Sequence, residues 1–211
     1  MRRPAAAAAA SALALAGCSA PAGQLPEDAL ERATACTAVR ALELGEGKSD
    51  GGPVSFAGFT ETLHFAMLTA AEDGMHVDLN RLLAVSQRAP GAMDELRGED
   101  WRRLVEPCNA AYPETQRPAA ALPPDPYEAG LTCFGMAEFM VKTALDYPAE
   151  RRELAGLADR ALQAAQPVLR ERAKNNADAQ RIAAGYAARA FKAGRPASLI
   201  EQCRRRFPAT P

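Results

Sequence analysis

The sequence predicts an all-α protein made of two tandem disulfide-stapled helical units of about four helices each, joined by a Pro-rich linker. Apolar residues recur at helical spacing through both halves, and neither half contains the run of alternating β-branched residues that indicates a strand. A ten-residue segment that ends at Pro113 is repeated in a segment that ends at Pro208. Between these two segments, residues 113–126 contain five prolines, which interrupt the helical pattern.

Composition narrows the class of protein further. Of the 211 residues, 48% are hydrophobic, 24% charged and 6% aromatic, and 25 Lys and Arg against 26 Asp and Glu leave a net charge of -1. These values exclude a disordered tail, a strongly basic nucleic-acid binder and a protein with several membrane spans. We therefore expect a globular protein with no nucleic-acid partner and a core built mainly from Ala, Leu, Val and Met.

The first 17 residues have the features of an export signal. Arg2 and Arg3 supply the positive charge, and residues 5–16 form an apolar stretch that is too short to span a bilayer. This stretch ends in Leu-Ala-Gly-Cys at residues 15–18, which resembles the lipobox of bacterial lipoproteins. The alternative is an ordinary cleaved secretory signal with a free cysteine nearby.

The lipobox resemblance, which covers only the signal, implies that residues 1–17 are removed and that Cys18 is acylated as the new first residue. Acyl chains on Cys18 would anchor the protein to a membrane without spanning it. Residues 18–25 would form a tether with a reach of at most about 25 Å. In hosts with two membranes, Ser19 after the modified cysteine resembles the default class, which resides on the periplasmic face of the outer membrane.

Four cysteines remain once Cys18 is assigned to the lipid, in a chain that an export signal delivers to an oxidising compartment. Four cysteines permit three pairings, and the internal repeat selects one. Its two copies share Leu, Glu, Cys and Pro, and each copy follows another cysteine at a similar distance, 72 and 70 positions. We predict the disulfides Cys36–Cys108 and Cys133–Cys203, one in each duplicated half.

Helices are placed from apolar periodicity and from their start and stop residues. They are predicted at residues 26–44, 56–73, 78–88 with Asp78 as the N-cap, 99–112, 126–147, from Pro148 to a kink or break at Pro167, 177–193 and 196–207. The first unit then covers residues 26–113 and the second residues 126–211, with residues 114–125 as a semi-rigid linker.

Three sequence patterns that could bind a phosphate or a metal ion have simpler structural explanations. Gly-Lys-Ser at residues 47–49 lacks a glycine of the phosphate-binding loop and follows a helix instead of a strand. Glu61 and His64 have the spacing of a helical metal motif, but the chain has no second copy, so we expect His64 to be hydrogen-bonded at the edge of an apolar face. The acids of residues 72–78 suit a turn and an N-cap. We predict no metal, cofactor or catalytic residue, and we favour a non-enzymatic protein.

Glu138 is a candidate binding residue because of its position on a predicted helix. At 100° per residue it falls among apolar side chains that include Leu131, Phe134 and Val141. A carboxylate there is expected to be partly buried and to need an Arg or Tyr partner from a neighbouring helix.

Charge is distributed unevenly along the chain. Residues 19–114 contain 16 acids and 8 bases, whereas residues 115–211 contain 10 acids and 15 bases. The basic cluster Arg204, Arg205 and Arg206 is a candidate surface for anionic lipid headgroups or another envelope polyanion, since each base near a charged membrane contributes about 1 kcal/mol. A solvated helix face is the alternative.

Together these observations predict a membrane-anchored envelope lipoprotein that acts as a non-enzymatic binding or interaction module. Its partner would be an unknown envelope protein or an anionic envelope component. The alternative is a carrier of a small apolar ligand, held in a groove between the two helical units and lined by Met136, Phe139 and Met140.

Overall fold

A computed structural model of the protein describes residues 23–46 and 54–209. In these residues it has eight α-helices, two short 3-10 turns and no strand, which confirms the all-α class. The helices are α1 Ala29–Gly45, α2 Phe56–Ala70, α3 Leu79–Arg97, α4 Val105–Ala111, α5 Pro126–Thr143, α6 Pro148–Arg172, α7 Asn176–Lys192 and α8 Pro196–Arg206. The predictions for the signal, for Cys18 and its tether up to residue 22, and for Gly-Lys-Ser at residues 47–49 lie outside the described residues.

Both predicted disulfides are confirmed. Cys36 is bonded to Cys108, which joins α1 to α4, and Cys133 is bonded to Cys203, which joins α5 to α8. Four α-helices precede the Pro-rich segment and four follow it in the described residues. Each disulfide therefore links the first and last helix of its own half.

The first helices of the two halves begin in the same way. Asp28 and Asp125, each eight residues before its cysteine, are N-caps whose carboxylates accept backbone N–H groups of the first turn. The prediction that the first helix starts at Pro26 was wrong, because the Asp28 cap places the start at Ala29. The caps belong to a shared pattern, Leu-Pro-x-Asp-x-x-Glu-x-x-x-x-Cys, at residues 25–36 and 122–133.

The last helices of the two halves also end in the same way. Tyr112 after α4 has φ -131° and ψ 67°, and Phe207 after α8 has φ -126° and ψ 69°. Each donates its N–H to the carbonyl of the cysteine four residues earlier. The last helices of the two halves begin differently. The sequence predicted a single helix over residues 99–112, whereas the structure has a 3-10 turn, Trp101–Leu104, followed by α4.

Two prolines lie inside helices that the sequence predicted to be shorter. Helix α3 continues through Pro90 to Arg97 instead of ending at Arg88, and α6 continues through Pro167 to Arg172 without a break. Both prolines are on exposed helix surface. Water can bond to a carbonyl that a proline leaves without its N–H partner, so the helices are able to continue.

The largest hydrophobic core contains residues from both halves. Met67 of α2 and Val85 of α3 belong to the same buried cluster as Met136 of α5 and Phe191 of α7. A second cluster surrounds the Cys36–Cys108 bond, and a third packs α5 against α6. The two halves are therefore joined through buried side chains as well as through the chain.

The Pro-rich segment is fixed on the turn between α7 and α8. Ala120 donates its N–H to the carbonyl of Ala193, and Arg195 donates to the carbonyl of Arg117. Gly194 in that turn has φ +129°, and an added Cβ there would lie 2.6 Å from a carbonyl oxygen of the segment. This close approach holds the middle of the segment against the second half.

Candidate functional site

Glu138 is partly buried, as predicted, but it is paired within its own helix. Its side chain is 38% exposed, and one carboxylate oxygen is 3.1 Å from Nζ of Lys142. The partner is therefore a lysine one turn further along α5, where the sequence predicted an Arg or Tyr from a neighbouring helix. A partly exposed pair at this spacing contributes little to stability and leaves no fully buried carboxylate.

The three C-terminal arginines are largely occupied by other groups. Arg204 is 2.9 Å from Glu153 on α6, and Arg205 is 3.1 Å from Glu201 on its own helix. Arg206 donates to a backbone carbonyl of the Pro-rich segment at 3.3 Å. Two of the three positive charges are thus matched by nearby carboxylates, which reduces the attraction of this surface for an anionic partner.

The methionines that were expected to line a groove between the units are core residues. Met136 and Met140 are 0% exposed, and Phe139 packs edge to face against Phe191 with ring centroids 4.8 Å apart. These side chains fill the shared core between α5 and α7, so the expectation that they line a ligand groove was wrong.

His64 is fully buried, and not at the edge of an apolar face as predicted. Its Nε2 is 2.8 Å from the backbone carbonyl oxygen of Phe191, so the ring connects α2 to α7. Burial lowers the pKa of His64 from 6.5 to about 4, which keeps the ring neutral at pH 7. Among residues 23–46 and 54–209, no three His, Cys, Asp or Glu side chains are grouped so that they could hold a metal ion.

The acids of residues 72–78 form local structure. Asp78 is the N-cap of α3, as predicted, and Asp73 accepts the N–H groups of Met75 and His76 in a turn. These N–H groups hold the pKa of Asp73 below its usual value. Asp73 also lies against the ring of His76, 2.5 Å from Nδ1.

A pocket of about 300 Å³ opens in the second half, beside the fixed Pro-rich segment. Its walls come from residues 120–123, the first two turns of α5, the second half of α7 and Leu199 of α8. Ala190 and Leu199 are each 1% exposed and give the pocket an apolar floor. A concave apolar site of this size with a few polar groups is typical of a small-ligand site.

Three polar side chains converge on this pocket. Oη of Tyr186 is 3.5 Å from a carboxylate oxygen of Glu128, and the guanidinium of Arg189 lies over the Tyr186 ring, 4.1 Å from its centroid. Burial raises the pKa of Tyr186, and the nearby Glu128 carboxylate raises it further. Thr132 also lines the pocket, but its hydroxyl donates to a backbone carbonyl at 2.8 Å.

The first half contains a pocket of about 330 Å³ in the equivalent place. Pro26 and Glu31 line it, and in the shared pattern they correspond to Pro123 and Glu128 of the second-half pocket. Its other wall is α3, which is the third helix of the first half. The second-half pocket is likewise lined by α7, the third helix of the second half. The polar lining differs, because the first-half pocket has Arg88 together with Glu31 and two further glutamates, Glu95 and Glu99.

Neither pocket was predicted from the sequence, although the sequence contains one signal for them. The shared pattern that contains Glu31 and Glu128 was visible as a repeat, and it places one glutamate in the first turn of each leading helix. The contributions of Tyr186 and Arg189 depend on the crossing of α5 and α7, which no local pattern indicates.

Comparison with protein-family models, with curated proteins and with solved structures finds no match. None of the helices in the described part of the chain has the length and apolar composition that a membrane crossing requires.

Proposed function

We propose that the protein is a lipid-anchored, non-enzymatic binding protein of the cell envelope that holds a small ligand in its second-half pocket. The observation that carries the binding role is the pocket itself, in which Glu128, Tyr186 and Arg189 stand over an apolar floor. This site replaces the predicted groove between the two units as the place of the ligand.

The anchor is supported by the lipobox-like residues 15–18 and by the disulfides. Disulfides persist in oxidising compartments, which agrees with export of the chain. A tether of residues 18–25 would reach at most about 25 Å. The N-terminal end of α1 would therefore be held close to a membrane surface.

Replacing Cys18 with serine is expected to release the protein from the membrane fraction. Without the thiol there is no site for the acyl chains that supply about 0.8 kcal/mol per buried CH₂. Fractionation of cells that express the wild type and Cys18→Ser, with mass spectrometry of the N-terminal peptide, measures both the location and the lipid. An unmodified N-terminal peptide in the wild type would show that the signal is an ordinary secretory one.

The contacts of the side chains that line the pocket favour binding over catalysis. The hydroxyl of Thr132 donates to a backbone carbonyl at 2.8 Å, so it is not directed at a base that would activate it as a nucleophile. Tyr186 lies between a carboxylate and a guanidinium, which suits the orientation of a ligand. The arginine cluster is a weaker binding surface, because Arg204 and Arg205 already pair with carboxylates.

Filling the pocket is expected to remove a bound small molecule. Ala121 is an exposed residue of the lining, and Ala121→Trp would place a large ring in the opening. Native mass spectrometry of the full chain, purified from its own membranes in mild detergent, should show an adduct on the wild type that the variant lacks. Ala164→Trp, at an exposed position of α6 outside the lining, is the matched control and should keep the adduct. An adduct that persists in Ala121→Trp would refute the assignment of this pocket.

We further propose that the two halves arose by duplication of one helical unit, with residues 114–125 as the connection. The shared pattern that begins at Leu25 and Leu122, the matching aspartate caps and the matching ends of α4 and α8 support this origin. The equivalent positions of the two pockets support it as well. Because their polar linings differ, the two copies would have diverged in what they bind.

A further inference from the structure

We propose that the second-half pocket binds a small zwitterion with an apolar body, such as an aliphatic α-amino acid. This inference rests on the proposed function, because it names the class of ligand for the same pocket. It depends on the charges that line the pocket, on what separates those charges and on the remaining walls.

In the described part of the chain, the pocket lining contains one negative and one positive side chain. Glu128 and Arg189 both contribute to its surface. Among the described residues, neither forms an ion pair within 4.0 Å, although twelve such pairs occur elsewhere in this part of the chain. A carboxylate and a guanidinium that share a pocket without pairing are free to take the opposite charges of a ligand.

Tyr186 keeps these two charges apart. Its hydroxyl is 3.5 Å from the Glu128 carboxylate, while the face of its ring contacts the Arg189 guanidinium at 4.1 Å. The Tyr186 ring packs edge to face on the ring of Tyr127, which is 2% exposed. This buried contact fixes the position of the Tyr186 ring. An ammonium group can therefore approach Glu128, while a carboxylate approaches the planar donor fork of Arg189.

The remaining walls require an apolar part of the ligand. Ala120, Ala121 and Leu122 form one side, and Ala190 and Leu199 form the floor. A volume of about 300 Å³ is at the lower end of the range for small-ligand sites, which suits a molecule of amino-acid size. A ligand with charges alone would leave these apolar walls in contact with water.

The first-half pocket does not have the equal number of acidic and basic lining residues that the second-half pocket has. There Glu31 is accompanied by Glu95 and Glu99, and Arg88 is the only base among the lining residues that the structure describes. The excess of carboxylates would repel the acidic group of a zwitterion. The inference therefore concerns only the pocket that contains Glu128 and Arg189.

Isothermal titration calorimetry with three related probes tests the ligand class on the mature chain with its disulfides intact. Leucine carries both charges, N-acetyl-leucine lacks the ammonium group, and leucinamide lacks the carboxylate. Leucine is expected to bind at least about tenfold more tightly than either of the others, because each loses one charge-assisted contact. This comparison uses the wild type alone and needs no variant to fold.

Two variants assign the contacts to residues. Arg189→Gln should weaken leucine binding about tenfold and leave leucinamide unchanged, and Glu128→Gln should do the same while leaving N-acetyl-leucine unchanged. Arg181→Gln, on the same helix as Arg189 but paired with Asp178, is the matched control and should have no effect. Thermal melting of each variant shows whether the fold is kept.

The outcomes separate the ligand class from the proposed function. If N-acetyl-leucine or leucinamide binds as tightly as leucine, the pocket binds small ligands but the zwitterion is wrong. If none of the three binds, the inference is overturned, and the adduct in native mass spectrometry then decides the binding role independently.

Discussion

Replacing Cys133 and Cys203 together with alanine is expected to lower the free energy of unfolding by about 4 kcal/mol, the value of the chain-entropy model for a loop of this length. The bond closes a loop of 70 positions between α5 and α8. Its two cysteines are 0% and 1% exposed within the shared core, so the native contacts around them are tight. Without the bond, the unfolded chain gains conformational freedom. Urea unfolding followed by circular dichroism measures the loss.

The other disulfide supplies a matched comparison. Replacing Cys36 and Cys108 with alanine opens a loop of 72 positions, so the same model predicts nearly the same loss. The two losses should agree within about 1 kcal/mol, because loop entropy varies slowly with length. A loss below about 1 kcal/mol in either variant would contradict the chain-entropy value for that bond.

The fold class and the disulfide pairing could be predicted from sequence because both depend on local and repeated patterns. Apolar spacing indicates helices, and the repeat around Cys108 and Cys203 identified the closing helix of each half. The extent of α3 and α6 was underestimated, since Pro90 and Pro167 lie on exposed faces where water replaces the lost backbone bond. Whether a proline ends a helix depends on its surroundings, which the local sequence does not contain.

The shared core was not predicted, for a similar reason. The two copies suggested two separate units, whereas Met67 and Phe191 are buried in one cluster that spans both halves. Apolar periodicity shows that a helix face is buried but not which face covers it. The same limit applies to the pocket, where Glu128 belongs to a visible repeat but Arg189 reaches it only through the crossing of α5 and α7.

His64 shows what the shared core implies for the dependence of stability on pH. Its Nε2 faces the carbonyl oxygen of Phe191 at 2.8 Å. A carbonyl can only accept, so in the neutral ring Nε2 carries the hydrogen and Nδ1 carries the lone pair. Nδ1 is buried and has no hydrogen-bond partner among residues 23–46 and 54–209. Burial disfavours the charged ring and lowers the pKa of His64 to about 4, although the hydrogen bond to Phe191 and the Glu114 carboxylate act in the opposite direction.

Acidification from pH 6.5 to pH 4 is therefore expected to cost roughly 3 kcal/mol of folding free energy through this one side chain. In this range the unfolded chain binds a proton at His64 and the folded chain does not, so the loss grows as the pH falls from 6.5 and stops below 4. Urea unfolding at several pH values between these limits measures it.

His64→Leu should flatten that pH dependence, although it lowers stability at pH 7 by about 1 to 3 kcal/mol because the Phe191 carbonyl loses its donor. His76→Gln is the matched control, since His76 is the other histidine of the chain and its side chain is 63% exposed. This control should keep the wild-type slope. Parallel curves for the wild type and His64→Leu would show that the acid sensitivity comes from other groups, and that protonation of His64 does not weaken the contact between α2 and α7.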